Sequence, residues 1–297
     1  MIKKVGFFGC GAMGKGMIKN LLKAGYEIIA YDVSEDAVKQ AVESGATAGM
    51  DPAVIASNVD AVISSLPSPV IVKELMLGDN GIIANLKSNF ILDMSTIDPG
   101  TVKEIYSVAK EKGIGFLDCP VSGGPGGADA GTLAIMVGGD ERVYEEAKPL
   151  LNAMGRNIFY IGESGTAQVV KLCHNMIVAA NALALGEAFL TGSKAGLQPR
   201  VMAEVISKSV GRSGVLEVFG PKILNGDYEN PVFMLKHMYK DMDLFIKFAA
   251  AVNMPTFLGG LVHAFYRSAM LQDKGNHDHT VVCKVLEQLS AGNLPSK

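Results

Sequence analysis

The chain has no tryptophan, four cysteines and only 7% aromatic residues. Charged residues make up 19% of its 297 positions, and the net charge of −3 comes from interspersed residues rather than a block of one sign. Without a basic stripe there is no electrostatic footprint for nucleic acid or for an anionic membrane surface. Cys10, Cys119, Cys173 and Cys283 contain no Cys-x-x-Cys pair, so neither a zinc ribbon nor a disulfide framework is implied. No metal site is expected: His277-Asp278-His279 is the one clustered histidine pair, it reads as a polar turn, and it lacks the spacing of a helix-borne pair. No run of 18 apolar residues stands out, so no membrane span is expected. The basic start runs within a few residues into a glycine motif, too soon for a signal peptide, and the expected location is a reducing cytoplasm.

Apolar residues, at 48%, are ample for buried cores. In the first half, short apolar runs alternate with helical patterns. Lys4–Phe8, Glu27–Tyr31, Ala61–Ser65, Phe90–Asp93, Gly115–Asp118, Leu133–Val137 and Ile158–Ile161 read as strands, and Ala12–Ala24 as a helix stopped by Gly25. That alternation predicts an α/β domain with a doubly wound, mostly parallel sheet over residues 1–163. From Thr166 to Lys194 a proline-free apolar pattern covers most of a helix circumference. Helical segments follow near Pro199–Val210, Gly214–Leu224, Tyr239–Val252, Gly259–Met270 and Thr280–Leu289, so residues 164–297 are expected to form an all-α domain joined through the long helix.

Gly9-Cys10-Gly11-Ala12-Met13-Gly14 follows the first strand and opens the first helix, the context in which G-x-G-x-x-G binds a dinucleotide. Gly9 permits the tight turn, Gly11 lets backbone approach a pyrophosphate, and Gly14 permits close helix–strand packing. The N-terminal amides and dipole of the helix favour the anion. Asp32 closes the second strand 18 positions after Gly14, where a carboxylate accepts from ribose hydroxyls and repels a 2′-phosphate. No arginine follows in Val33-Ser34-Glu35-Asp36, so NAD is favoured over NADP. Cys10 reads as a small packing residue, with a thiolate favoured by the helix start as the alternative.

Three further segments carry signals: Asp93-Met94-Ser95-Thr96-Ile97-Asp98-Pro99, Asp118-Cys119-Pro120-Val121-Ser122-Gly123-Gly124, and Gly165 to Asn175 at the start of the long helix. The first two follow strands, where open α/β sheets bind ligands. With the glycine loop, these segments in this order resemble the β-hydroxyacid dehydrogenase family, which includes 3-hydroxyisobutyrate dehydrogenase. The resemblance runs from the Gly9 loop to Lys240-Asp241. It implies a hydride exchanged between nicotinamide and a small β-hydroxy acid or its semialdehyde, and a homo-oligomer packed through the α domain. It implies Lys171 as the catalytic acid/base, Asn175 holding the substrate hydroxyl, and Ser122, Gly123 and Gly124 holding its carboxylate. Leu66 and Pro67, Ser95 and Thr96, and Lys240 then lie along the cofactor.

Elementary chemistry agrees with those roles. A desolvated ammonium is a competent proton donor and acceptor, and residues four apart share a helix face. Glycines beside a hydroxyl leave amides open to an anion. Ser95 and Thr96 equally suit a helix start. Lys240 also reads as a solvated helix lysine, and Asp241 as a salt-bridge partner or helix start. His174 and Pro125 depart from the common family pattern, and Arg212 suits either a distal acid group or a structural salt bridge. An NADPH-preferring semialdehyde reductase and a non-catalytic dinucleotide-binding module remain open alternatives.

Overall fold

The computed structural model describes residues 2–87 and 90–294. By contacts the chain divides into two compact units, Met1–Lys171 and Leu172–Lys297.

The first unit begins β1 (Lys4–Phe8), α1 (Ala12–Lys23), β2 (Glu27–Tyr31), α2 (Glu35–Glu43), β3 (Thr47–Ala48), α3 (Pro52–Ala56), β4 (Ala61–Ser64), α4 (Pro69–Leu77) and α5 (Ile82–Asn85). It continues with β5 (Phe90–Asp93), α6 (Pro99–Glu111), β6 (Gly115–Asp118), β7 (Val121–Ser122), α7 (Gly124–Ala130), β8 (Leu133–Gly139), α8 (Glu141–Met154) and β9 (Gly155–Gly162). The strands form one sheet in the order β3-β2-β1-β4-β5-β6-β8-β7, with β9 on β8. The first six of that order are parallel, whereas β8 runs antiparallel to both β6 and β7. The order reverses between β1 and β4, which opens a crevice beyond their carboxyl ends. Side chains alternate to two cores. Val5, Phe7, Leu92 and Leu117 pack beneath Met17 and Leu21, whereas Phe8, Ile91 and Phe116 pack against Val72, Met76 and Ile105. Helices on both faces explain why these strands read as continuous apolar runs.

The two-residue strands β3 and β7 are absent from the sequence expectation, because two residues have no period to detect. Pro120 interrupts what is otherwise one path from β6 to β7. It offers no N–H, yet its carbonyl accepts from Met136 N at 3.0 Å, so the chain continues along β8.

The long helix α9 (Thr166–Lys194) is followed by α10 (Pro199–Ser207), α11 (Gly214–Asn225), α12 (Leu235–Ala251), α13 (Phe257–Met270), a 3₁₀ turn (His279–Val282) and α14 (Cys283–Ser290). The division by contacts falls inside α9 rather than ahead of it, since its first turns are hydrogen-bonded to loops of the sheet. At 29 residues, with a window of mean hydropathy 1.4, α9 is long and apolar enough to cross a membrane by length and composition alone, although polar residues such as Lys171, Asn175 and Glu187 interrupt it, so it holds no unbroken run of 18 apolar residues. In the second unit its Ala179, Ala182, Leu183 and Phe189 lie in a core with Leu216, Met238, Val262 and Val282.

The segment His277–His279 is not the polar turn expected. Asp278 and His279 are fully buried. The Asp278 carboxylate accepts from Val232 N, Phe233 N, Thr280 N and the Thr280 hydroxyl, and Nδ1 of His279 lies 2.8 Å from the Tyr266 hydroxyl. Asp278 is drawn into the core because four donors satisfy its carboxylate.

Candidate active site

The glycine loop has the form its spacing predicts. Gly9 has φ +97°, and its N–H donates to Tyr31 O at 2.9 Å. A Cβ on Gly9 would lie 2.2 Å from Ser65 O, and one on Gly14 would lie 1.8 Å from Gly9 O. Around Gly11 a Cβ would meet nothing within 4 Å, and no side chain caps the start of α1. The loop is therefore packed where it must be and open where a pyrophosphate would approach. A cavity of about 210 Å³ adjoins it, lined by Gly11, Ala12, Lys15, Ser34, Asp36 and Gln40 among others.

Asp32 stands at the end of β2. Its Oδ2 accepts from Cys10 N at 2.7 Å and its Oδ1 from Ser34 N at 2.9 Å. The carboxylate thus braces the loop and keeps further lone pairs for ribose hydroxyls. Cys10 is buried, and its thiol is pushed up to about 12, by burial first and then by Asp32. It remains a thiol and fills space, which decides between its two readings. These features suit a nicotinamide dinucleotide laid over the first helix.

Leu66, Ser95 and Asp93 form one buried relay. Leu66 N donates to Ser95 Oγ at 2.8 Å, and Ser95 Oγ donates to Asp93 Oδ1 at 2.6 Å. Ser64 Oγ also donates to Asp93 Oδ1, at 2.8 Å. The Ser95 hydroxyl is taken up inside the protein, and it does not cap the next helix. That cap is Asp98, whose carboxylate accepts from Thr101 N and the Thr101 hydroxyl. Thr96 is half-buried between Ser95 and Ile97, and Pro67 follows Leu66 in the loop after β4.

Ser122 lies in β7, opposite Ala134. Gly123 and Gly124 both have positive φ, +134° and +62°, which side chains strongly disfavour. Pro125 sits in the first turn of α7, where its missing N–H costs nothing, so this departure from the family pattern is compatible with the local fold.

Sequence reasoning overlooked Gln168 and Asp118. Asp118, at the end of β6, accepts from Gly165 N at 2.8 Å and Gln168 N at 3.2 Å, so it clamps the start of α9. Burial pushes its carboxyl up to about 6, against the pull of those two amides. The fully buried Gln168 side chain accepts from Ile97 N at 3.2 Å and donates to Ser95 O at 2.9 Å. Lys171 lies one turn further along and is 7% exposed.

In the second unit Asn175, four residues after Lys171 in the sequence, is also buried. Its Nδ2 donates to Asp241 Oδ2 at 2.5 Å, and Nδ1 of His174 lies 2.9 Å from its Oδ1. Asp241 Oδ1 is also 3.0 Å from the Lys240 ammonium. Asp241 thus orients the Asn175 amide as well as forming the expected ion pair. Arg212 is exposed in the turn before α11. Among the described residues no three His, Cys, Asp or Glu side chains are placed to share a metal ion.

Known proteins give this arrangement its context. The family described as the NAD binding domain of 6-phosphogluconate dehydrogenase matches residues 4–162. The family described as NAD-binding of NADP-dependent 3-hydroxyisobutyrate dehydrogenase matches residues 165–286. The 2-(hydroxymethyl)glutarate dehydrogenase of Eubacterium barkeri is 37% identical over 97% of this chain and 96% of its own. The chain belongs to the β-hydroxyacid dehydrogenase family. The NAD-dependent L-serine dehydrogenase of Pseudomonas aeruginosa is 38% identical over 96% of this chain and 98% of its own. A solved structure of Mycobacterium tuberculosis 3-hydroxyisobutyrate dehydrogenase with L-serine superposes with a TM-score of 0.88 at 30% identity, covering 96% of this chain and 99% of that one. This β-hydroxyacid dehydrogenase is accordingly a nicotinamide-dependent oxidoreductase acting on a CH–OH group.

Proposed function

We propose that the enzyme uses NAD and exchanges a primary alcohol with its aldehyde on a substrate of the form HO–CH2–CH(R)–COO⁻. 3-Hydroxyisobutyrate, 2-(hydroxymethyl)glutarate and L-serine, the compounds in the relatives' names, share this skeleton and differ in R. The observation that carries the reading is the burial of three polar residues at helical spacing, Gln168, Lys171 and Asn175, in a largely apolar helix. Burying an ammonium and two amides is costly unless their hydrogen-bonding groups are used.

Lys171 receives the hydroxyl proton as the alcohol is oxidised and returns it to the carbonyl oxygen in reduction. The Asn175 amide, fixed by Asp241, directs its second N–H to the substrate oxygen. Ser122 and the amides of Gly123 and Gly124 hold the carboxylate. Leu66, Pro67, Thr96 and Lys240 border the cofactor, with Ser95 acting through its internal bonds. The bound nicotinamide supplies the hydride acceptor in oxidation and the donor in reduction. The braced Asp32 carboxylate, with Asp36 on the same cavity, supports NAD over NADP.

The test is initial-rate kinetics with the three alcohols above and their aldehydes, using NAD and NADP in parallel. We expect turnover of at least one pair and an NAD preference of about tenfold or more. An equal or greater rate with NADP overturns the cofactor reading, and binding without turnover across the panel overturns the substrate skeleton.

We place the homo-oligomer contact on the second unit. Phe257, Leu258 and Leu261 on α13 are all exposed, Phe257 by 89%, and an uncovered apolar face of this kind favours a partner surface. Light scattering at micromolar concentration reads the mass, and a monomer would contradict the assignment. The four unpaired cysteines support a cytoplasmic setting.

A further inference from the structure

Gln168 contributes both ends of its amide to backbone on either side of Thr96. Its Oε1 takes the Ile97 N–H and its Nε2 gives to the Ser95 carbonyl. The loop after β5 is held much as a neighbouring strand would hold it, but by a side chain from α9. The same loop reaches the end of β4 through Ser95 Oγ and Leu66 N, and the end of its own strand through Asp93. The backbone N–H of Gln168 is anchored in turn on Asp118 at the end of β6. Carboxyl ends of three consecutive parallel strands are therefore referred to one helical turn, and Lys171 stands three residues further along that helix.

Anchoring the helix does not require this side chain, because Asp118 already takes the amides of Gly165 and Gln168. What Gln168 adds is a fixed relation between Thr96 and the turn that carries Lys171. We propose that Gln168 is a positioning residue, setting the Lys171 ammonium relative to the Ser95–Ile97 loop so that proton transfer and hydride transfer stay in register. This inference rests on the catalytic reading of Lys171 given above. Hydride transfer needs its partners held closely, and a displacement of about 1 Å costs roughly 100-fold in rate.

The experiment compares wild type with Gln168→Met, which keeps length and bulk but offers no amide. Three quantities are read: kcat, the NADH dissociation constant from nicotinamide fluorescence, and amide hydrogen exchange with and without NADH. For Gln168→Met we expect kcat to fall by roughly 100-fold, with NADH affinity within about twofold, because the Gly9–Gly14 loop is untouched. In wild type NADH should slow exchange in residues 95–98 and 166–172 together, and in the variant only in 95–98. Full kcat in the variant overturns the proposal. Parallel loss of NADH affinity and kcat also overturns it, since Gln168 would then merely hold the cofactor site together. Should Gln168→Met fail to fold, exchange in wild type still decides: protection confined to 95–98 contradicts the coupling. A wild-type enzyme that binds NADH and shows coupled protection but turns over no alcohol refutes the catalytic reading alone.

Discussion

Gly11 and Gly14 sit in one motif for different reasons, and substitution separates them. A Cβ at Gly14 would collide with the Gly9 carbonyl, whereas at Gly11 it meets open space. Gly14→Ala should cost about 2–3 kcal/mol of stability, read as a lower thermal midpoint. Gly11→Ala should leave the midpoint unchanged and weaken NADH binding, because the added methyl occupies the approach of the pyrophosphate. Asp241 offers a second test at this scale. Asp241→Ala removes the acceptor of both Asn175 and Lys240, and kcat/KM should fall by about 10- to 100-fold (about 1.4–2.7 kcal/mol) with little change in NADH affinity; unchanged kcat/KM would show that Asn175 needs no orienting. The glycine loop was legible because its motif lies within one short segment. Asp118, Gln168 and the orienting role of Asp241 were not, since their partners lie far off in sequence: Gln168 binds residues 71 and 73 positions away. A carboxylate at a strand end looks like any turn residue until its donors are seen.

β1, β2, β5, β6 and α9 begin and end where the pattern changes, whereas α12 and β9 start at Leu235 and Gly155, ahead of the expected Tyr239 and Ile158, and the expectation set no bounds for α2, α4, α6 and α8. β3 and β7 were invisible for want of length. β8 was recognised as a strand, but its antiparallel direction is set by its pairing with β6 and β7, which no local pattern encodes. In α9 apolar residues surround the helix, as the sequence indicates, and the information lies in the interruptions. Gln168 and Lys171, one turn apart, are buried polar interruptions that the apolar pattern alone does not explain.

At the scale of the whole molecule, two buried groups pull stability in opposite directions with pH. Asp118, raised to about 6 from 3.8, stays protonated in the folded chain where the unfolded chain has released its proton, so its contribution falls as pH rises from about 4 to 6. His279, pushed down to about 4 by burial, refuses a proton that the unfolded chain accepts below 6.5, so its contribution rises over much the same window. Asp118→Asn leaves the histidine unopposed. The thermal midpoint of that variant should climb more steeply than that of wild type between about pH 4 and pH 6. Equal slopes would show that Asp118 does not titrate in this range.

The most direct test of the catalytic account is a single turnover of Lys171→Ala with NAD bound and saturating alcohol, followed by NADH absorbance. NAD affinity should stay close to that of wild type, and the hydride-transfer rate should fall by about 10²- to 10⁴-fold. A single-turnover rate equal to that of wild type would contradict this expectation and remove Lys171 from the chemistry.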